Sequence, residues 1–392
     1  MDLRRLADLD ALFLTAGLWF LAKFLRYAFP PLFPEFQRLY GVSNGALGLA
    51  FTAMMLVYAL MQFPAGALAD RLGPVRVVAA GALVTAGASL ALFAPVPFPL
   101  LVAGMVVVGL GTGVHKTVAV RLLSTVYPHR KGRALGVLDT FGAFGGVVAP
   151  AAVVVLTGTP GWHVLFLVGG VVGVLLAGGF VARVPARVPE VDGGDGGSGA
   201  AVADYLSLFA DARFDAFVLV TVGFSFAYNG AVAFLPLYLT DAAGLDAATA
   251  SLLYSALFVV SLVQLVTGEL SDRLGSLHVV VGTLVLAAVG LAGVLFGPGA
   301  SPLALGVAVV AFGLGSHGFR PVRGAYLVEL VPDSLAGGGL GVVRTILMGA
   351  GAVAPAVVGI VSETAGFDAA FGLLLAGLVV AVVVAVGLLV TE

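Results

Sequence analysis

A charged turn occurs twice in this chain. The stretch GALADRLG, Gly66 to Gly73, returns as GELSDRLG, Gly268 to Gly275, 202 residues later. Each copy falls where one long apolar run ends and the next begins. The same turn repeated at half-length, in a chain of 392 residues, describes two homologous halves in series. The apolar runs say where those halves reside. About 20 mostly apolar residues are needed to cross a bilayer. Twelve such runs can be drawn, near 9–29, 46–69, 75–94, 99–124, 134–156 and 162–182, and then near 215–238, 248–270, 277–297, 302–328, 336–360 and 368–390. Only 10% of residues are charged, against about 25% in a soluble domain. The predicted fold is therefore an all-α integral membrane protein, with twelve transmembrane helices in two pseudo-symmetric six-helix bundles. The predicted domains are residues 1–183 and 215–392. Residues 184–214 form a cytoplasmic linker whose centre, Asp192 to Gly199, is a Gly/Asp/Ser tract.

The repeat extends past the turn. Gly109-Leu110-Gly111 matches Gly313-Leu314-Gly315 at an offset of 204, and Ala149-Pro150 matches Ala354-Pro355 at 205. Gly136-Val137 matches Gly341-Val342, also at 205, and Pro34 matches Pro236 at 202. Six spans in each half give both halves the same orientation, so the repeat is parallel, about an axis along the membrane normal. Lys and Arg concentrate in cytoplasmic loops. With the N-terminus inside, Arg4, Arg5, Arg71, Arg76, Arg130, Lys131, Arg133, Arg183, Arg187, Arg213 and Arg273 are all cytoplasmic, and Arg38 alone lies outside. Both termini and the linker are thus expected in the cytoplasm, with the protein multi-pass in the plasma membrane.

Several classes are disfavoured. There is no Cys, which removes disulfides, thiolate metal sites and cysteine nucleophiles. A net charge of −2 gives no case for nucleic acid. The five His, at 115, 129, 163, 278 and 317, are too scattered for a metal cluster or a nucleophile–base set, so neither a metal, a cofactor nor an enzyme activity is expected. No G-x-x-x-x-G-K-[ST] loop is present, so ATP is not the expected drive.

GALADRLGPVR resembles the loop between spans 2 and 3 of the major facilitator superfamily, of the form G-x-L-x-D-R-x-G followed by two basic residues. Gly66, Asp70, Arg71 and Gly73 match, but Pro74 and Val75 stand where the basic pair is usual. Gly268, Asp272, Arg273 and Gly275 form a similar copy between spans 8 and 9. The resemblance covers essentially the whole chain. It implies secondary transport by rocker-switch alternating access, as symport or antiport, with spans 1, 4, 7 and 10 lining the path. It also implies that Asp70 bridges to the start of span 11 and to an Arg after span 4, either Arg130 or Arg133, latching one state. From the sequence, Asp70 is placed at the head of span 3, and the motif glycines at a tight turn with close packing.

Charges inside the spans carry the substrate argument. Each costs about 2.5–3.5 kcal/mol on insertion scales, so it faces a cavity or a partner. The basic candidates are Lys23 and Arg26 in span 1, Lys116 in span 4, Arg320 and Arg323 in span 10, and Arg344 in span 11. The acidic ones are Asp139 in span 5 and Glu329 in span 10. This basic excess predicts a small anionic solute. Arg320 is the first choice for an anion clamp, with His115, four-apart Lys23 and Tyr27, and the repeat-related Tyr228 and Asn229 as further lining. His115, Asp139, Glu329 and Arg344 are the candidates for ion coupling, with protons as the candidate ion. For Arg121, nearer the inner end of span 4, and for Arg323, reaching to the cytoplasmic headgroups stays open as the alternative. Both halves lie in one chain, so a monomer is expected to suffice, with the lipid bilayer as its surroundings. Two other readings stay open: a multidrug or metabolite exporter with a largely apolar cavity, and a membrane sensor that does not transport.

Overall fold

The computed structural model describes residues 9–157, 161–188, 207–297, 299–331 and 336–391. The tract at 192–199 and the basic pair Arg4 and Arg5 lie outside the described residues. Among the described residues the secondary structure is helical throughout, without a strand. Span 1 is Asp10–Ala28, continued by the turn Pro30–Leu32 and the short helix Phe33–Tyr40. Spans 2 and 3 are Asn44–Leu72 and Pro74–Ala91. Span 4 is Phe98–Gly113 followed by His115–Val126. Spans 5 and 6 are Lys131–Thr157 and His163–Arg183. Span 7 is Ala212–Asp241. Span 8 is Ala247–Val259 and Gln264–Leu274, joined by the turn Val260–Val263. Spans 9 and 10 are Ser276–Leu295 and Pro302–Leu330. The last helical stretch, Ala336–Val390, is broken at Gly366, where φ is 88°. That break divides spans 11 and 12 and completes the expected twelve.

The chain divides into two compact units. One holds Met1–Val42 and Ala53–Gly193; the other holds Ser43–Thr52 and Gly194–Glu392. The boundaries differ from the sequence division in one respect: the first third of span 2 belongs with the second unit. The cause is close backbone packing on span 11. Added Cβ atoms at Gly48 and Gly359 would strike the carbonyl oxygens of Pro355 and Asn44 respectively. Thr52 Oγ1 accepts from the Ala356 N–H at 2.9 Å, and Glu363 Oε2 accepts from the Gly45 N–H at 3.1 Å.

The repeat seen in sequence reappears in the packing. Gly73 and Gly275 end spans 2 and 8 at φ 85°, ψ 145° and φ 89°, ψ 144°. Only Gly adopts such angles freely, so these two residues make the motif turn. Gly66 and Gly268 do not: a Cβ at either would meet open space. The sequence expectation of close packing at those two positions is therefore corrected. Close packing belongs instead to the Gly-Leu-Gly pairs. Gly109 abuts the backbone of Met54 and Gly111 that of Gly81 and Thr85, so span 4 seats on spans 2 and 3. Gly313 abuts Leu257 and Gly315 abuts Thr283 and Ala287, so span 10 seats on spans 8 and 9. Small residues allow such approach without lipid being trapped between helices.

Overpacking a close contact costs about 1–3 kcal/mol. Gly111→Val and Gly315→Val are each expected to lower the melting temperature of the purified protein by several degrees. Gly87→Val, where a Cβ meets nothing within 4 Å, should leave it nearly unchanged.

Candidate functional site

Each unit gathers its membrane-embedded cations on aromatic rings. In the first unit the platform is Trp19, in the middle of span 1. Spacings of four and seven place Lys23 and Arg26 on the Trp19 face of the helix. Lys23 Nζ lies 5.8 Å and Arg26 Cζ 5.5 Å from the indole centre. Lys116 reaches the same ring from span 4, at 5.7 Å. Arg26 is 5% exposed, with its guanidinium 3.9 Å from the Tyr58 ring, and its Nε donates to the Ala22 carbonyl at 3.3 Å. Lys23 donates to the Tyr27 hydroxyl at 2.9 Å and lies 4.4 Å from that ring. Attraction to the electron-rich ring face, about 0.5–2 kcal/mol for each cation, offsets part of the cost of holding charge there.

His115 packs parallel to Trp19, with centroids 5.8 Å apart and planes 4° apart. Its Nε2 bonds the Thr15 carbonyl at 3.1 Å. The hydrogen-bond ladder of span 4 is interrupted at Val114, immediately before His115 and Lys116. Span 5 comes close to this platform because Gly142 and Gly145 leave room for Trp19 and for the Phe20–Phe24 backbone. One turn before Gly142, Asp139 forms an ion pair with Lys116. The named ionic groups are three cations and one carboxylate, leaving positive charge in excess.

The second unit repeats the theme with arginines. Arg320 Cζ stands 4.4 Å from the Tyr228 ring centre, and Arg323 5.9 Å from Phe319. Tyr228 is buried between Phe224 at 5.8 Å and His317 at 5.8 Å. Arg323 feels the positive charges of both Arg320 and Arg344. Among the described residues no carboxylate forms a salt bridge with Arg320 or Arg323. Asn229 donates to the Ser225 carbonyl at 2.8 Å, and Ser225 to the Leu347 carbonyl at 2.6 Å, tying span 7 to span 11. Gly351 leaves the space that Asn229 fills.

The structure reassigns several sequence expectations. Asp70 lies in the last turn of span 2, not at the head of span 3, and its partner is Arg121. Arg130 and Arg133 stand in the turn and first helical residues that follow span 4, and neither pairs with Asp70 among the described residues. Arg121 looks like a side chain reaching for headgroups because its partner is 51 residues away. In the second copy, Arg273 pairs with Glu269 on its own helix, and Ser276 Oγ donates to Glu329 at 2.9 Å. Glu329 thus ties the motif turn to the end of span 10. Asp139, which aligns with Arg344 across the repeat, takes Lys116 as its partner. Trp19 and Tyr58 were missed. For Trp19 the signal was present, since one of only two Trp in the chain precedes cations at i+4 and i+7. Tyr58 comes from another span and leaves no local mark.

A match to the Major Facilitator Superfamily covers residues 15–316 and, overlapping it, 239–392. The chain belongs to that superfamily. It is a multi-pass membrane transporter and not an enzyme. The probable sulfoacetate transporter SauU of Cupriavidus necator is 29% identical over 364 residues, covering 86% of this chain and 84% of that protein. The niacin transporter NiaP of Acinetobacter baylyi is 34% identical over 150 residues, 38% of this chain and 32% of that one. Among solved structures, the nucleoside transporter NupG superposes with a TM-score of 0.77 at 14% identity, covering 98% of each chain. An inward-facing, occupied bacterial homolog of the human lysosomal transporter Spinster gives 0.77 at 16%, covering 100% of this chain and 97% of that one.

The Asp70–Arg121 pair is more than half exposed, so its effect on stability should be small. Asp70→Arg is expected to lower the melting temperature by a few degrees at most through like-charge contact. Adding Arg121→Asp should restore it, and comparing the single and double variants checks this.

Proposed function

We propose that this transporter is a secondary carrier of a small organic anion, working as a monomer in the plasma membrane with both termini cytoplasmic. The observation that carries the reading is the surplus of cations held on aromatic rings at membrane depth. Arg320 and Arg323 meet no carboxylate in the described salt bridges, and Arg26 is buried with two rings and a carbonyl as its described contacts. A buried guanidinium with nothing anionic beside it is poorly compensated until an anion arrives. Relatives named for sulfoacetate, niacin and 4-hydroxybenzoate support the same class. Within the first unit, Trp19 and Tyr58 beside Arg26 suit an acid group carried on a small apolar or aromatic body. Rocker-switch exchange of access is the mode that membership of the superfamily supports, and the Asp70–Arg121 pair braces span 2 against span 4 within the first unit. The distribution of Lys and Arg between loops supports the orientation.

The test is a thermal-shift panel on detergent-purified protein, comparing sulfoacetate, nicotinate and 4-hydroxybenzoate with lipophilic cations and neutral drugs. A ligand at about a hundred times its Kd adds about 2.7 kcal/mol, which is readable as a rise of several degrees. Stabilisation by at least one anion is expected, weakened about tenfold or more in apparent affinity by Arg320→Ala and by Arg26→Ala, as befits a lost charge-assisted bond of about 1.5–3 kcal/mol. Stabilisation by cations or neutral drugs alone, unchanged in both variants, would replace this reading with that of an exporter with an apolar cavity.

A further inference from the structure

We infer that Arg320 and Arg323, with Arg344 from span 11, form one site for a doubly charged anion, so that the solute carries two acid groups. This deepens the anion reading above and rests on it. Arg320 and Arg323 are three residues apart on span 10. That spacing puts both on one face, with Cβ atoms about 5–6 Å apart. Arg320 lies about 15 Å and Arg323 about 10 Å from the C-terminal end of span 10 at Leu330, at about 1.5 Å per residue. Arg344 is similarly about 12 Å from the start of the last helical stretch at Ala336. The three therefore share one band of depth in this unit.

Span 7 is the surface that gathers them. The Tyr228 ring carries the Arg320 guanidinium at 4.4 Å. One turn earlier, Ser225 Oγ donates to the carbonyl of Leu347, which is one turn on from Arg344. Spans 10 and 11 thus meet the same stretch of span 7, and Arg323 feels the charge of both Arg320 and Arg344. The neighbours Phe319, Val322 and Tyr326 are buried, whereas Arg320 and Arg323 are half-buried and Arg344 is exposed. A Cβ at Gly324, beside Arg323 and one turn from Arg320, would meet open space. The charged face is therefore open rather than filled by packing.

No acid on these spans pairs with Arg320 or Arg323 among the described residues. Span 7 has Asp215 and Asp241, near its two ends. Span 10 has Glu329, one residue before its end, where it accepts from Ser276 Oγ. Span 11 has Glu363, towards its far end, which accepts from the Gly45 N–H. Two guanidinium groups one turn apart repel each other. A single acid group answers one of them and leaves the other uncompensated. Two acid groups on one small body answer both, each through the charge-assisted N–H···O bonds that a guanidinium fork makes with an oxyanion. Arg344 adds positive field from span 11. A solute with two acid groups a few bonds apart matches that arrangement.

Two matched pairs of probes test this on the full-length protein in detergent. Sulfoacetate is compared with the methyl ester of its carboxyl group, and succinate with monomethyl succinate, at a pH where every acid group is ionised. Esterification removes one charge and nearly preserves the shape. Apparent affinity is read from thermal shifts titrated with each probe. At least one diacid is expected to bind about tenfold or more tighter than its monoester, the worth of one charge-assisted bond. Arg323→Gln should cut that preference to about threefold or less by weakening the diacid alone, while Arg323→Lys, which keeps the charge, should hold most of it. Arg344→Gln, a second variant should Arg323→Gln fail to fold, should narrow the preference as well. Equal affinity for diacid and monoester would overturn the two-charge reading and leave the anion reading standing. Binding of nicotinate or 4-hydroxybenzoate, but of neither diacid, would do the same. So would an undiminished preference in Arg323→Gln, which would leave Arg323 to the lipid headgroups. Failure of every one of these anions to bind removes the anion reading, and the two-charge site with it.

Discussion

A guanidinium or ammonium group at membrane depth has lost its water, and something else must supply electron density. In this protein aromatic ring faces supply much of it. Trp19 takes Lys23, Arg26 and Lys116, Tyr58 takes Arg26 as well, and Tyr228 takes Arg320. Ring faces attract a cation without neutralising it. A carboxylate would have neutralised the charge. Stacking keeps the cations in place and leaves their charge uncancelled. Lys116 is the exception: it has both a ring and a carboxylate.

Such a platform needs helices that come close, and glycine makes that approach possible. Gly142 and Gly145 bring span 5 against span 1, which puts Asp139 within reach of Lys116. Gly109 and Gly111 seat span 4 on spans 2 and 3, and Gly313 and Gly315 do the same for span 10 on spans 8 and 9. The duplicated Gly-Leu-Gly is therefore a packing device that fixes the height of the cation-bearing helix in each unit. The duplicated motif turn works differently. Its left-handed glycines, Gly73 and Gly275, are equivalent in backbone, but the ionic contacts around them have diverged. Asp70 reaches across to Arg121, whereas Arg273 stays on its own helix and a Ser276–Glu329 bond makes the cross-link.

Much of the fold was legible in the chain. Apolar runs of about 20 residues, the 202–205 offset and the turn glycines depend only on composition and spacing along the backbone, so twelve spans in two halves could be drawn without coordinates. Most of the cations now found on rings were also nameable, because a charge inside an apolar run is conspicuous. Their partners were not. Lys116 and Asp139 are 23 residues apart, Asp70 and Arg121 are 51 apart, and His115 and Thr15 are 100 apart. Only the short-range pair, Lys23 with Tyr27, follows from helical spacing alone.

The sequence by itself thus determined the membrane class, the duplication, the sign of the buried charge and the residues that make the turns. These are properties of runs and periods, which the hydrophobic effect and the helix repeat convert directly into structure. Tertiary structure alone decided that Trp19 is the shared anchor, that Arg121 rather than Arg130 or Arg133 holds Asp70, and that Asp139 pairs with Lys116. Those choices depend on which helix faces meet and at what height. That is set by glycine contacts between distant segments, and no local pattern encodes it.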